Sequence, residues 1–316
     1  MVSLRQLEYL VTVVDQGSFT RAAEILHVTQ PALSHQVRAL ERSVGSPLLE
    51  RLPRAVHLTA AGRAMLPHAR AALADAAGAV SAVRQAIGLA GGELRLATVY
   101  SVSLGVLPAA LKAWSRLHPG VDVRLFEHRH ADELAEAMAS GQADLAVGPR
   151  PETWTGPVRT IGVEEFVVAV SSDDPAAAGQ ATEVDLGALR DRRWIHYAPD
   201  NGLADILDRA CAEAGFQPRI AVRTEQTASA PILAAAGLGP ALIPANIVPK
   251  GYEGRTLGLR LPVTRALVAY ARTEFDAVSG AFLALLGENV AGKLLRPQDA
   301  HPAAGESLAG VNSTPR

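Results

Sequence analysis

A short polar segment near the start of the chain carries side chains that could read a nucleic acid. Thr29, Gln30 and Ser34 supply two hydroxyls and one amide around Pro31. The amide of a glutamine can form two hydrogen bonds with an adenine edge, and a hydroxyl can bond to a base or a phosphate. The ring of Pro31 is apolar and suits a thymine methyl group. The segment therefore indicates a DNA-binding surface, provided that a helix presents it.

The flanking residues predict the helices that would position this segment. Apolar residues at helical spacing predict a helix over 4–15, and Ser18 is a typical N-cap for a second helix. A third helix is predicted to follow Thr29 and to end at Gly45. Two short helices and a third with a polar start are typical of a helix-turn-helix motif. A small helical bundle without a role in DNA binding is the alternative interpretation.

Residues 47–59 alternate as a short two-stranded wing would. Arg51 and Arg54 lie on this predicted wing, where Arg54 could enter an adjacent minor groove. Arg38 and Arg42 lie on the third helix and are either phosphate contacts or solvated residues.

The ordered pattern of the first 62 residues resembles the winged helix-turn-helix of LysR-type transcriptional regulators. The matching motifs are RQL at 5–7, FTRAA at 19–23, TQPALS at 29–34, LE at 40–41, Gly45, LL at 48–49 and LTxxG at 58–62. The resemblance implies a DNA-binding domain over residues 1–59. His35 stands where many members carry arginine, which would weaken one phosphate contact or make it depend on pH.

Residues 60–90 predict a long helix with a narrow apolar seam. The seam has heptad spacing and consists of Leu66, Ala69, Leu73, Ala76, Val80, Val83 and Ile87. Such a seam is typical of a coiled coil, so we expect it to join two chains in a dimer. Packing against the chain's own body is the alternative. In the resembled family this segment is the linker helix that pairs two DNA-binding domains, and the family also implies a tetramer of two dimers.

From residue 91 strands and helices alternate, which predicts an α/β fold. The layout resembles the family's two-lobed effector-binding domain, itself similar to type 2 periplasmic binding proteins. The motifs that carry this resemblance are LP at 107–108, HP at 118–119, GQADLA at 141–146 and AAAGLGPALIP at 234–244. The resemblance places an effector-binding domain at 91–290, with lobe one at 93–164 and 266–290 and lobe two at 165–265. Residues 291–316, rich in Pro, Ala, Gly and Ser, are predicted to be a disordered tail.

Folds of this kind bind a small molecule between the lobes, beside strand ends and helix starts. Ser101 and Thr227 are the preferred contacts, because a hydroxyl at a helix start can bind an anion together with backbone N–H groups. The alternative is that both residues only cap helices. Val102, Asn201 and Gln226 are further candidates at equivalent positions.

The loop His128-Arg129-His130 is one residue longer than the family pattern. Arg129 could receive a carboxylate, the two histidines could bind a metal, or the loop could be plain surface. Arg150, after the third strand, is another candidate for a carboxylate. We expect no metal site and no cofactor, only a small-molecule effector for which a carboxylate is one interpretation.

Composition and simple sequence patterns restrict the other classes of protein to which the chain could belong. The chain has 30 Lys and Arg against 32 Asp and Glu, but residues 1–90 carry a net charge of +3, so only this part suits phosphates. The single cysteine, Cys211, excludes an intramolecular disulfide and a CxxC pair. Prolines and glycines interrupt the longest uncharged run, between Glu225 and Lys250, so we expect no membrane span. The N-terminus lacks a secretory pattern, and we expect a cytoplasmic protein.

These patterns predict a ligand-responsive transcription factor rather than an enzyme. Its expected partners are promoter DNA with dyad symmetry, a small-molecule effector, a second copy of the chain and, for an activator, RNA polymerase. A solute-binding or enzymatic α/β protein with a vestigial helix-turn-helix is the alternative. Motifs such as GxSxG, HExxH and GxxxxGK[ST] do not occur at a suitable strand-to-helix junction, so we expect no catalytic activity.

Overall fold

The computed structural model describes residues 2–52, 55–86, 92–179, 181–290 and 292–296. The helices are α1 (Leu4–Gln16), α2 (Phe19–Ile25), α3 (Gln30–Val44), α4 (Ala60–Ala86), α5 (Tyr100–Gly105), α6 (Leu107–Leu117), α7 (Ala131–Ala139), α8 (Gly202–Glu213), α9 (Ser229–Ala235) and α10 (Ala277–Asn289). The strands are β1 (Leu49–Leu52), β2 (Ala55–Leu58), β3 (Gly92–Val99), β4 (Val121–His128), β5 (Leu145–Pro149), β6 (Val158–Val170), β7 (Glu183–Val184), β8 (Arg193–Tyr197), β9 (Arg219–Thr224), β10 (Ala241–Pro244), β11 (Arg255–Leu259) and β12 (Thr264–Tyr270). The elements belong to two compact units, which are described separately.

The first unit contains the predicted helix-turn-helix and wing. Ser3 caps α1 in a capping box, because its hydroxyl accepts from Gln6 N while the Gln6 side chain accepts from Ser3 N. Gly17, in the left-handed region at φ +59°, ends this helix, and Ser18 caps α2. β1 and β2 pair antiparallel as the wing. The winged helix-turn-helix expected from the sequence is confirmed.

Small and polar residues from the motifs that carry the family resemblance make internal contacts at the turn before the wing. Glu41 Oε1 accepts the backbone N–H groups of Leu48 and Leu49 at 2.9 and 3.2 Å. The Thr59 hydroxyl donates to the Pro47 carbonyl at 2.7 Å and accepts Gly62 N–H at 3.0 Å. A Cβ on Gly62 would lie 2.1 Å from the Leu48 carbonyl oxygen. These contacts therefore hold the start of the wing against α3 and α4.

The α/β part of the chain is built around one strand, β6, that runs through both lobes. The sheet has the order β4-β3-β5-β12-β6-β11-β7, and β10 also pairs with β6. Residues 158–165 of β6 pair antiparallel with β12, whereas residues 166–170 pair with β10 and β11. The two-lobed α/β fold is thus confirmed. The first half of β6 mixes apolar and charged residues, and only its second half has the continuous apolar run that is typical of a buried strand.

Lobe two has its own apolar core, formed where β8, β10 and the end of β6 meet α8 and α9. The large side chains of Phe166, Trp194 and Tyr197 are fully buried there. Cys211 lies in the same core, and burial raises the pKa of its thiol to about 12. The cysteine is therefore a buried residue of this apolar core. Within the described part of the chain, no helix is long and apolar enough to cross a membrane.

The first residues of the predicted tail are ordered against β6. Leu295 exchanges two backbone hydrogen bonds with Val163, at 2.8 and 3.0 Å. Lys293 Nζ donates to the Gly105 carbonyl at 2.8 Å. The prediction of disorder was therefore wrong for residues 292–296, where Val163 of β6, which also pairs with β12, supplies backbone partners that composition does not reveal. Residues 297–316 lie outside the described residues.

Candidate DNA interface and effector site

Helix α3 presents its polar start to solvent. Thr29, Gln30 and Pro31 are exposed, and the Thr29 side chain makes no cap hydrogen bond. On the opposite side of the helix, Leu33 and Val37 are fully buried in the core of the N-terminal domain. This packing fixes the rotation of α3 about its own axis. The Gln30 amide and the Thr29 hydroxyl at its start are therefore exposed, on the part of a recognition helix that reaches base edges in a helix-turn-helix.

The other predicted DNA contacts divide into exposed, buried and undescribed positions. His35, Arg38 and Arg42 are exposed along α3. Ser34 is only 7% exposed and lies on the buried side of the helix, so its hydroxyl is not on the solvent surface with the others. Arg51 pairs with Val56 through the wing backbone, and its side chain lies outside the described part. Arg54 also lies outside the described residues.

The predicted seam on α4 changes its environment along the helix. Ala69 is 1% exposed and Leu73 packs against the core of the N-terminal domain, while Leu66 and Ala76 are half-buried. Farther along, Val80 and Val83 are 53% and 61% exposed. Ile87 lies outside the described residues. The first half of the seam thus packs within the chain, and the second half presents apolar side chains to solvent.

In lobe one, Ser101 lies in a buried polar network at the point where the strands cross between lobes. Its Oγ accepts from Arg265 Nη2 at 2.9 Å, and the residue is 3% exposed. Arg265 also donates to Glu164 Oε2 through Nε and Nη2, at 3.0 and 2.5 Å. Val102, next to Ser101, is fully buried in the apolar core. Of these two candidates, only Ser101 therefore offers a polar group.

Glu164 is the centre of this network and is fully buried. Its second carboxylate oxygen accepts from Asn246 Nδ2 at 2.8 Å. Asn246 Oδ1 is buried and has no hydrogen-bond partner in the described part of the protein, and a Cβ on Gly105 would lie 2.1 Å from it. Sequence reasoning missed Glu164, Arg265 and Asn246. The signal available in the sequence was Glu164, a charged residue beside an apolar run. It does not reveal its partner Arg265, which lies 101 residues away in the chain.

In lobe two, Asn201 and Thr227 form a second polar pair. Asn201 caps α8, because its Oδ1 accepts the N–H of Leu203 at 3.0 Å. Its Nδ2 donates to Thr227 Oγ1 at 3.3 Å, and both residues are at most 3% exposed. The hydroxyl of Thr227 therefore accepts from the amide and keeps its proton for donation, as that of Ser101 does beside Arg265.

The loop after β4 makes specific contacts with lobe two. Arg129 is hydrogen-bonded to Asp200, and His130 Nε2 lies 3.1 Å from Asp205 Oδ2. His128 Nε2 is buried, and no described group forms a hydrogen bond with it. Burial lowers the pKa of His128 from its ordinary value, and the Glu133 carboxylate opposes this shift only partly.

The remaining candidates are on the surface. Arg150 and Gln226 are both exposed, and Gln226 bonds to its neighbours through backbone groups. Among the described residues, no group of three or more His, Cys, Asp or Glu side chains could hold a metal ion.

Comparison with known proteins identifies the class to which this domain pair belongs. A model described as "LysR substrate binding domain" matches residues 87–291, and one described as "Bacterial regulatory helix-turn-helix protein, lysR family" matches residues 4–63. The chain belongs to the LysR family of DNA-binding transcriptional regulators, which combine a helix-turn-helix with an effector-binding domain.

Curated relatives are named as regulators. The HTH-type transcriptional regulator ShiR of Corynebacterium glutamicum (strain R) is 32% identical over 244 residues, covering 76% of this chain and 82% of that protein. The HTH-type transcriptional regulator IlvR of Caulobacter vibrioides is 32% identical over 251 residues, covering 78% and 83%.

Solved structures agree with this assignment. The structure of CbnR, a LysR family transcriptional regulator, has a TM-score of 0.67 and 27% identity, covering 91% of this chain and 99% of that chain. The structure of full-length CbnR in complex with its target DNA has a TM-score of 0.65, with the same identity and the same coverage of both chains. A full-length OxyR variant from Pseudomonas aeruginosa, 21% identical, shares the fold with a TM-score of 0.70, covering 92% of this chain and 95% of that chain.

Proposed function

We propose that the chain acts as a homodimer on promoter DNA with dyad symmetry and reads bases with the start of α3. The observation that carries the proposal is the exposed amide of Gln30 beside the exposed Thr29 and Pro31, on a helix whose other side is buried. His35, Arg38 and Arg42 would contact phosphates along the same helix. Arg51 and Arg54 would extend these contacts from the wing, with Arg54 in the minor groove.

A footprint of the purified protein on the DNA upstream of its own gene tests this function. A protected region with dyad symmetry, at one stated salt concentration, is the expected result. Protection must weaken in a Gln30→Ala variant while binding to random DNA persists. Protection that extends over any sequence, or that is the same in the variant, would reject base reading by α3.

The distal seam of α4 is the proposed dimer contact. Val80→Glu is expected to convert the dimer to monomer, because a carboxylate would be buried without a partner between two helices. Val80 is 53% exposed within one chain, so the variant should still fold. Sedimentation velocity measures the mass. Gly78→Glu is the matched control, since a Cβ at Gly78 meets nothing within 4 Å; an unchanged mass for Val80→Glu would place the interface elsewhere.

We also infer that the effector is a small molecule with hydrogen-bond acceptors, such as a carboxylate. The hydroxyls of Ser101 and Thr227 each accept a hydrogen bond from a neighbour and are left as donors. The buried Nε2 of His128 is a further polar atom available to a ligand. Asn201 would orient Thr227, and Gln226 and Arg150 would act at the periphery.

Thermal unfolding with a panel of sodium carboxylates, from acetate to adipate and including benzoate, tests this inference. At least one compound is expected to raise the melting temperature of the parent protein, because a ligand that binds only the folded state stabilises it. The rise should be lost in Ser101→Ala and kept in Ser103→Ala. Ser103 lies on the same helix, but its hydroxyl donates to the Tyr100 carbonyl and to the Glu127 carboxylate on β4. A panel without effect, or equal responses in both variants, would contradict the proposal.

Assembly and cellular role follow from the same proposal. Two dimers would associate as a tetramer, and the regulator would contact RNA polymerase if it activates transcription. It would act in the cytoplasm, where its promoter DNA lies, and without catalytic activity. The regulator names of its relatives support this role over that of an enzyme or a solute-binding protein.

A further inference from the structure

Three contacts join the loop after β4 in lobe one to the start of α8 in lobe two. The Arg129 guanidinium is paired with the Asp200 carboxylate. The N–H of Gly202 donates to the Arg129 carbonyl at 3.0 Å. His130 Nε2 lies 3.1 Å from Asp205 Oδ2. One backbone hydrogen bond and two side-chain contacts with carboxylates therefore connect the two lobes at a single place.

The chemistry of His130 suits this contact even when its ring is neutral. Its Nδ1 accepts the N–H of Asp132 at 3.2 Å, so the neutral ring carries its proton on Nε2. That proton points to the Asp205 carboxylate, which gives a charge-assisted hydrogen bond. Asp132 of lobe one thus fixes the tautomer of His130, and Asp205 of lobe two accepts the hydrogen bond from its Nε2.

We propose that Arg129, His130, Asp200 and Asp205 form a clasp that holds the two lobes in one of two alternative positions. The proposal rests on the proposed function, because lobe position is the variable that an effector would change. It also changes the interpretation of Arg129, since its guanidinium binds Asp200 and acts on the lobes instead of receiving the effector's carboxylate.

Solvent exposure makes this clasp reversible. The side chains of Arg129 and Asp200 are 42% and 50% exposed, so water and salt screen their attraction. Hydrogen bonds from Arg129 lower the pKa of Asp200, and the pair stays ionised throughout the neutral range. A contact of this strength can bias an equilibrium between lobe positions without locking it.

The clasp is tested by the distance between spin labels on the two lobes. Labels are placed at Lys112→Cys in lobe one and Glu213→Cys in lobe two, both exposed sites. The native Cys211 is buried and its thiol has a raised pKa, so it should not react with the label. Labelled chains are diluted with unlabelled protein, so that pulsed electron resonance reports distances within one chain. No effector or DNA is needed.

The expected result is a distance distribution that shifts in Arg129→Asp, where two carboxylates would face each other. The shift should be reversed in the double variant Arg129→Asp/Asp200→Arg, which restores the pair with its charges exchanged. Arg260→Asp, at an exposed arginine directly after β11, makes the same charge change and should leave the distribution as in the parent.

Three results would overturn the clasp: an unchanged distribution in Arg129→Asp, a double variant that fails to restore it, or an equal shift in Arg260→Asp. These outcomes are separate from those of the footprint. A regulator that protects its dyad but shows no shift rejects the clasp alone. A shift without sequence-specific protection rejects the proposed function alone.

Discussion

Arg265→Ala is expected to lower the free energy of unfolding of the effector-binding domain by about 3–5 kcal/mol. Glu164 is fully buried, and the variant would leave its carboxylate with Asn246 as a remaining donor. Urea unfolding followed by tryptophan fluorescence measures the change. The three tryptophans, at 114, 154 and 194, all lie in the second compact unit, so the signal reports on this domain.

Two further variants separate loss of the charge pair from loss of packing. Replacing both charges, as Glu164→Gln/Arg265→Met, is expected to recover most of the stability, because no buried charge is left unpaired. Arg192→Ala removes the partner of Asp174, whose side chain is 6% exposed. Arg192 itself is 35% exposed, so water can partly replace it, and Ala176 N–H still donates to Asp174; the loss should therefore cost less. A loss in Arg265→Ala no larger than that in Arg192→Ala would contradict a buried, coupled pair.

Gln30→Ala is expected to weaken binding to the specific site by about 1–3 kcal/mol, or roughly 5- to 150-fold in dissociation constant. The reason is the loss of two hydrogen bonds to one base, which random DNA does not provide in register. Fluorescence anisotropy with a labelled operator and a scrambled duplex, at one fixed salt concentration, measures both affinities.

Arg42→Ala provides the contrast, because a phosphate contact carries no sequence information. It is expected to weaken binding to both duplexes alike and to reduce the slope of log affinity against log salt by about 1. If Gln30→Ala instead lost affinity equally on both duplexes, Gln30 would be a phosphate contact and base reading would belong to another residue.

The N-terminal domain shows how far local sequence information reaches. Ser3, Ser18 and Gly17 form caps with residues at most four positions away, and the apolar spacing of α1 and α3 is visible in any short window. Such features depend on backbone geometry within one or two turns, so the sequence predicted both the helices and the exposed start of α3. The burial of Ser34 was not visible in the sequence, because one helix turn contains both an exposed and a buried side and only the packed core decides between them.

The effector-binding domain shows the limit. Alternating strands and helices predicted the α/β fold, and the family resemblance carried by motifs such as GQADLA implied its two lobes. Together they also pointed to the hydroxyls of Ser101 and Thr227 as candidate effector contacts. Only the tertiary structure paired Glu164 with Arg265, 101 residues apart, and Arg129 with Asp200, 71 residues apart. The sequence around a charged residue does not indicate which distant residue will pair with it. That partner is decided when strands and loops distant in the chain pack together, because burial of one charge requires another beside it.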